Sequence, residues 1–235
     1  MDKLIRFEAD IWGRYHIEWN EIYPDVNILV GINGAGKTTL LDKIFAAYKN
    51  EKNCIYIPSI DNMIVRDKRK SAKAIVQNLE YYFYDTKTGP SLMKMRAGSY
   101  DNTIVNIEKV KEHELQFERL LNKMFVETGK TIDLKASTPP VVIEGKRFPL
   151  DVLSSGEQQL MLIFLQIHLL MGQEALVLMD EPENMLHISW QSELINILTE
   201  LNPNAQYIIT THSPSIFGDG WGDKVTYMDN ILKLK

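Results

Sequence analysis

Gly31-Ile-Asn-Gly-Ala-Gly36-Lys37-Thr38 satisfies the phosphate-loop pattern G-x-x-x-x-G-K-[ST]. Glycines at these places let backbone N–H groups wrap phosphate oxygens, and the positive end of the helix that follows adds to the cradle. Lys37 is then expected to bridge the β- and γ-phosphates and Thr38 to ligate Mg²⁺, with Asn33, Gly34, Ala35, Gly36 and Thr39 completing the contacts to the nucleotide. A second group follows the apolar run Ala175-Leu-Val-Leu-Met, which ends in Asp180-Glu181-Pro182-Glu183-Asn184. A buried strand there delivers carboxylates at its C-terminal end, where open α/β sheets bind ligands. Asp180 is expected to hold the Mg²⁺ water shell, and Glu181 to orient and polarise the water that attacks the γ-phosphate. An acidic strand end by itself is equally consistent with a plain turn; the glycine loop gives it meaning.

Two further stretches could serve the same chemistry. Leu153-Ser154-Ser155-Gly156-Glu157-Gln158 precedes a long apolar helix, and such a start either cradles a phosphate in its N–H groups or simply caps the helix. Thr210-Thr211-His212-Ser213-Pro214 follows another apolar strand and would bring an imidazole to the same sheet edge as Glu181.

These groups need a scaffold, and the patterning supplies one. Ile11 to Trp19 alternates strictly, with Ile11, Gly13, Tyr15, Ile17 and Trp19 on one face, and predicts one half-buried strand. With Leu4 to Glu8 and Ile28 to Val30 it suggests a small antiparallel sheet feeding a buried strand. Thr38 to Tyr48 has helical apolar spacing, and Cys54 to Ile57 predicts a short strand. Between about Ser59 and Pro140 charges cluster and Gly89-Pro90 and Gly98 break the pattern, while Glu108 to Glu127 reads as a long amphipathic helix closed by Gly129. From Val141 the chain predicts a hairpin around Gly145, a helix Gly156 to Met171 and a strand Ala175 to Met179. A helix Ile188 to Leu201, a strand Gln206 to Thr210 and a last strand near Val225 to Met228 follow. Alternating strands and helices predict a mainly parallel sheet. The expected organisation is one domain over 1–235, with a nucleotide-binding core at 1–58 and 141–235 and an inserted lobe at 59–140.

Composition narrows the class. The chain has 235 residues, of which 45% are hydrophobic and 24% charged, so it can bury an ordinary globular core and is neither fibrous nor mainly disordered. A single cysteine, Cys54, excludes an intramolecular disulfide and a thiol zinc cluster. The opening MDKLIRFEAD does not resemble a signal peptide, and Leu160 to Met171 is too short for a membrane span, so a cytoplasmic protein without a span is expected. The formal charge of −5 means that any nucleic-acid contact must be local. Arg66-Asp-Lys68-Arg69-Lys70 with Lys73 is the one dense basic run, read as a solvated face or a phosphate-backbone contact. Tyr81-Tyr82-Phe83-Tyr84 reads as lobe core or a partner interface.

In this order, glycine loop, Leu153-Ser-Ser-Gly-Glu-Gln158, Asp180-Glu181 and His212, the chain resembles the ABC-type P-loop ATPases over about residues 1–57 and 141–229. The Ser-Ser-Gly-Glu form is more similar to the branch containing SMC, RecF and OLD-type ATPases than to transporters. The resemblance implies an ABC-ATPase α/β fold with an N-terminal antiparallel subdomain and a helical lobe. It also implies ATP and Mg²⁺ as ligands and hydrolysis aided by Glu181, Lys37 and His212, while Trp12 is either the family's adenine-stacking aromatic or simply a surface aromatic of an edge strand. Two copies would sandwich ATP, with Ser154, Ser155, Gly156 and Glu157 of one facing the γ-phosphate held by the other. Two departures stand out: Ile57-Pro58-Ser59 has serine where the family has glutamine, leaving Ser59, Asp61 or Gln77 to replace it, and His187 stands where an aspartate is usual.

The interval from Lys37 to Asp180 is too short for long coiled-coil arms, and the stretch after His212 is too short for a fused nuclease domain. The expectation is therefore an ATP-dependent homodimer in a DNA-associated or phage-defence complex, gating a separately encoded effector such as a nuclease. The alternatives are the nucleotide-binding subunit of an ABC transporter and a slowly hydrolysing, ATP-locked scaffold.

Overall fold

The strands that carry the glycine loop, Asp180 and Thr211 are mostly apolar and buried on both faces, as a parallel sheet covered by helices on each side requires. The computed structural model describes residues 3–50, 53–60, 71–100, 107–135, 140–218 and 220–235. In chain order, β1 (Phe7–Ile11) and β2 (Tyr15–Trp19) form a hairpin. β3 (Val26–Val30), α1 (Lys37–Tyr48) and β4 (Cys54–Ile57) follow. Next come α2 (Ser71–Tyr84), α3 (Leu92–Tyr100) and α4 (Ile107–Phe125), then short strands β5 (Lys130–Ile132), β6 (Val141–Ile143) and β7 (Lys146–Phe148). The rest is α5 (Ser155–His168), β8 (Ala175–Asp180), α6 (Ile188–Leu201), β9 (Ala205–Thr211), β10 (Val225–Tyr227), α7 (Met228–Ile231) and β11 (Leu232–Leu234).

The central sheet has the order β10-β3-β9-β8-β4, and every pairing in it is parallel. Its register aligns Leu29 with Thr210 and Thr210 with Asp180, so the C-terminal ends of three neighbouring strands finish at one edge. Two antiparallel sheets flank it, β1-β2-β11 and β5-β6-β7. With the glycine loop between β3 and α1 at that edge, the fold is mixed α/β of P-loop type with a mainly parallel central sheet.

Period-two alternation divides the core between the sheet's faces. Val26, Ile28, Val177, Met179, Tyr207 and Ile209 pack toward α5 and α6, with Ile75 and Phe83 of α2 and Phe117 and Leu121 of α4 in the same cluster. Leu29, Leu176, Leu178 and Ile208 pack on the other face with Leu40 and Ile44 of α1 and with Ile17 and Trp19 of the antiparallel sheet. The helices of the 59–140 stretch therefore share a core with α5, and β5 pairs with β6 across residue 140. In the aromatic run, Phe83 is buried and the Tyr82 hydroxyl donates to Gln166 Oε1 at 3.3 Å. Gly129, at φ 67°, closes the 3₁₀ turn that extends α4.

One expectation needs correction. Ile11 to Trp19 is not one strand: Trp12 at φ 51° and Gly13 at φ 67° reverse the chain, and Ile11 pairs with Tyr15. The alternation survives because a three-residue turn leaves odd-numbered residues facing inward on both legs, so Ile11, Ile17 and Trp19 still enter the core. The first strand starts at Phe7 rather than Leu4, and β11, which pairs with β2, has no clear signature in its three residues.

His168, at the end of α5, is 1% exposed, and among the described residues neither ring nitrogen has a hydrogen-bond partner. Burial, with smaller contributions from His113 and Arg96, pushes its pKa down to about 3. Between that value and the ordinary histidine value the unfolded chain takes up a proton that the folded chain refuses, so stability falls as pH falls. From pH 7 to pH 5 this single group is expected to remove about 2 kcal/mol. Urea midpoints of the wild type and of His168→Leu at both pH values check it; an equal loss in the two chains would contradict it.

Candidate functional site

The glycine loop leaves the sheet at the end of β3 and turns directly into α1. Gly34 and Gly36 have φ of 82° and 97°, which side chains disfavour. At Gly36 a Cβ would also stand 3.1 Å from Ile11 Cδ1 and 3.2 Å from Trp12 Cη2. Gly36 is the N-cap of α1, without a side-chain cap and without an acidic residue in the first turn. The helix thus presents its first N–H groups uncapped, the arrangement that binds an anion. Trp12, Asn33, Gly34, Gly36, Lys37, Thr38, Thr39, Ser59, Asp180 and Glu181 line one cleft of about 290 Å³. Ala35 instead packs against the core, and its N–H donates to Ile32 O at 3.1 Å.

Lys37 folds back over its own loop, donating to Gly31 O at 2.7 Å and Ile32 O at 3.3 Å, with Nζ 3.5 Å from Glu181 Oε1. Asp180 accepts hydrogen bonds from Thr38 Oγ1 at 2.9 and 3.1 Å and from Thr210 Oγ1 at 2.7 Å. Burial pushes its carboxyl up, against the pull of the two hydroxyls. A hydroxyl beside a single carboxylate is a donor set that suits Mg²⁺, which keeps several waters and takes its remaining ligands from phosphates. A nearby cation would restore the carboxylate charge that burial disfavours.

Glu181 sits in the left-handed region at φ 47°, its N–H donating to Thr210 O at 3.1 Å. That turn swings its carboxylate out of the strand direction into the cleft. There Oε1 lies 3.4 Å from His212 Nδ1, and Oε2 accepts from Asn184 Nδ2 at 3.4 Å. His212 is half exposed at the end of β9, on the edge shared with Glu181. Trp12 sits in the hairpin turn, 54% exposed, edge-on to Tyr15 with ring centres 6.1 Å apart.

The Ser154 loop lies apart from this cleft: none of Ser154, Ser155, Gly156 or Glu157 lines it. The capping reading holds. Ser154 Oγ accepts the Glu157 N–H at 3.4 Å, while Glu157 Oε2 accepts the Ser154 N–H at 2.7 Å. Glu157 is buried and also takes Lys130 Nζ of β5 at 2.6 Å. Burial pushes its carboxyl up, but Lys130 and the Ser154 N–H outweigh that and leave it below the usual carboxylate range. Glu157 therefore faces inward, whereas Ser154 and Ser155 are exposed. A Cβ at Gly156 would stand 2.6 Å from Met185 O, so glycine permits the loop to approach the turn after Asp180.

Ser59, at the position of the absent glutamine, is buried at the cleft wall and accepts from Asn184 Nδ2 at 3.1 Å. Asn184 thus joins Ser59 to Glu181, a link that sequence spacing does not reveal. The turn after Glu181 returns the Asn184 N–H to Glu181 O at 3.2 Å. Gln77 is exposed on α2 and does not line the cleft, and Asp61 lies outside the described residues. So do Arg66, Lys68, Arg69 and Lys70 of the basic run and the side chain of Lys73. His187 caps α6, its Nδ1 3.4 Å from the Ser189 N–H and 2.8 Å from Ser189 Oγ.

A family model described as "AAA domain, putative AbiEii toxin, Type IV TA system" matches residues 98–218. The ribose import ATP-binding protein RbsA of Clostridium tetani is 26% identical over 201 residues, 81% of this chain and 35% of that protein. The cell division ATP-binding protein FtsE of Streptococcus pneumoniae is 24% identical over 189 residues, 80% of this chain and 73% of that one. The chain thus spans about a third of the length of RbsA. Among solved structures, an SMC head bound to the C-winged helix domain of ScpA superposes with a TM-score of 0.56 at 10% identity, covering 100% of this chain and 97% of the other. That likeness shows a shared fold.

Proposed function

Because the chain belongs to the family of AAA domains whose model matches just over half of it, we propose that it binds ATP with Mg²⁺, pairs with a second copy around the nucleotide and hydrolyses it. The observation that carries this reading is the single cleft joining Lys37, Thr38, Asp180 and Glu181, with exposed Ser154 at a different place on the surface. Uncapped N–H groups of α1 and the Lys37 ammonium bind the β- and γ-phosphates, and Trp12 offers a ring face to adenine. Thr38 and Asp180 would hold Mg²⁺, whose charge offsets that of the phosphate oxygens. Glu181 orients a water and accepts its proton as the water oxygen bonds to the γ-phosphorus and the bond to the β-phosphate bridging oxygen breaks. His212 lies beside that carboxylate. Ser154, Ser155 and Gly156 of the second copy supply N–H and hydroxyl donors to the γ-phosphate, while Glu157 acts by holding Ser154.

Within the P-loop ATPases of ABC and SMC type, the Ser-Ser-Gly-Glu loop and His187 support an SMC-, RecF- or OLD-like relationship. The family description names a toxin of type IV toxin–antitoxin systems, which supports a defence assembly in which closure gates a separate effector such as a nuclease. Nucleic acid would reach the complex through the basic run at Arg66, Lys68, Arg69, Lys70 and Lys73. The transport ATP-binding relative favours a second reading, a transporter subunit; Ser59 in place of glutamine counts against it. Among the described residues no helix is long and apolar enough to cross a membrane.

The test is co-purification of the tagged chain with ATP or ADP from detergent-solubilised cells. A nuclease or nucleic acid retained only with ATP is the expected result, and a retained membrane permease overturns the proposal in favour of the transporter reading.

A further inference from the structure

Glu183 has a carboxyl group that the chemistry above leaves unused. It lies two residues past Glu181, in a turn closed by the Leu186 N–H on Glu183 O at 2.9 Å, and it points back into the sheet edge rather than to solvent. It is 3% exposed, and among the described residues its Oε2 has no hydrogen-bond partner. Placing a carboxyl there costs free energy that a turn does not require, since an apolar residue would fill the same space without desolvation.

What Glu183 does hold is the end of β9. Its Oε1 accepts the Thr211 hydroxyl and, at 3.3 Å, the His212 N–H, and it lies 3.9 Å from His212 Nδ1. Thr211 Oγ1 in turn accepts the Ser213 N–H at 2.9 Å. Residues 211 to 213 are therefore fastened through one carboxylate oxygen just where the chain leaves the sheet. The imidazole of His212 is half exposed, and its Nδ1 is brought to 3.4 Å from Glu181 Oε1.

We propose that Glu183 is the positioning residue for His212, holding that residue's own N–H and the Thr211 hydroxyl, which in turn takes the Ser213 N–H, so that the ring faces Glu181. This rests on the ATPase reading for its kinetic consequence but not for its geometry. Glu183→Gln keeps an acceptor oxygen for Thr211 and His212, whereas Glu183→Leu fills the space and offers none. Misplacing a group by about 1 Å at a reacting centre can cost about 100-fold, so Glu183→Leu should lower kcat by about 30-fold or more with KM within about twofold. Glu183→Gln should stay within about threefold of wild type. Combining Glu183→Leu with His212→Ala should be no slower than His212→Ala alone, since both remove one function.

Unchanged kcat in Glu183→Leu, or multiplying losses in the double variant, would overturn the proposal. If Glu183→Leu does not fold, Thr211→Val removes one of the two grips and should lower kcat by about fivefold without adding to the His212→Ala loss. The geometry has its own readout: the ring ¹⁵N resonances of His212 should shift in Thr211→Val and in Glu183→Leu far more than in Glu183→Gln. A wild type that hydrolyses no ATP sinks the ATPase reading, while unmoved His212 resonances in every variant sink this one.

Discussion

Glu181→Gln chains should bind ATP as wild type does while turning it over about 10²–10³-fold more slowly, a loss of about 3–4 kcal/mol of transition-state stabilisation. Amide and carboxylate have the same shape, so the left-handed turn at residue 181 and the Asn184 contact can persist. What disappears is the negative oxygen near Lys37 and His212, the group able to take the proton of an attacking water. Lys37→Ala should fail earlier in the cycle, because it removes the ammonium lying against the glycine-loop carbonyls Gly31 O and Ile32 O, beside the uncapped start of α1. Equilibrium binding of a fluorescent ATP analogue and a phosphate-release assay separate the two. Equal nucleotide binding by Lys37→Ala and wild type would end the assignment of the cleft to a triphosphate.

Mixing two inactive chains should restore turnover. Ser154 is exposed and does not line the Lys37 cleft, while its N–H is held by Glu157, which Lys130 holds in turn. In the proposed ATP-bound dimer such a loop meets the γ-phosphate held by the second copy. Glu181→Gln chains are expected to shift from monomer to dimer in light scattering with ATP and not with ADP. Adding Ser154→Arg should prevent that shift with monomer ATP affinity within about twofold, because residue 154 does not line the same chain's cleft. Lys37→Ala and Ser154→Arg chains, each inactive alone, together form one intact site per heterodimer, and turnover of up to about a quarter of wild type is expected from random pairing. Absence of both closure and regained activity would leave a single-site ATPase or a passive scaffold.

Much of this was legible in the chain because the chemistry is local. A loop of glycines followed by Lys37 and Thr38, between an apolar strand and a helix, can be recognised without knowing its neighbours, since both the φ requirement at Gly34 and Gly36 and the helix N-terminus belong to one short segment. Strands buried on both faces and ending in Asp180 or Thr211 announce a parallel sheet for the same reason: burial imposes the composition residue by residue. The hairpin at Trp12 escaped, because strict alternation continues through a three-residue turn and parity alone cannot tell one long strand from two antiparallel ones. Tertiary structure also decided what meets at the sheet edge. Asn184 reaches Ser59 across 125 positions and Glu183 reaches Thr211 across 28, distances over which neither spacing nor periodicity carries information. The same holds for Glu157, whose place in the motif says nothing of the Lys130 ammonium that fixes it inward. Short-range patterning determined which groups the protein owns; the register of β3, β9 and β8 determined which of them face one another.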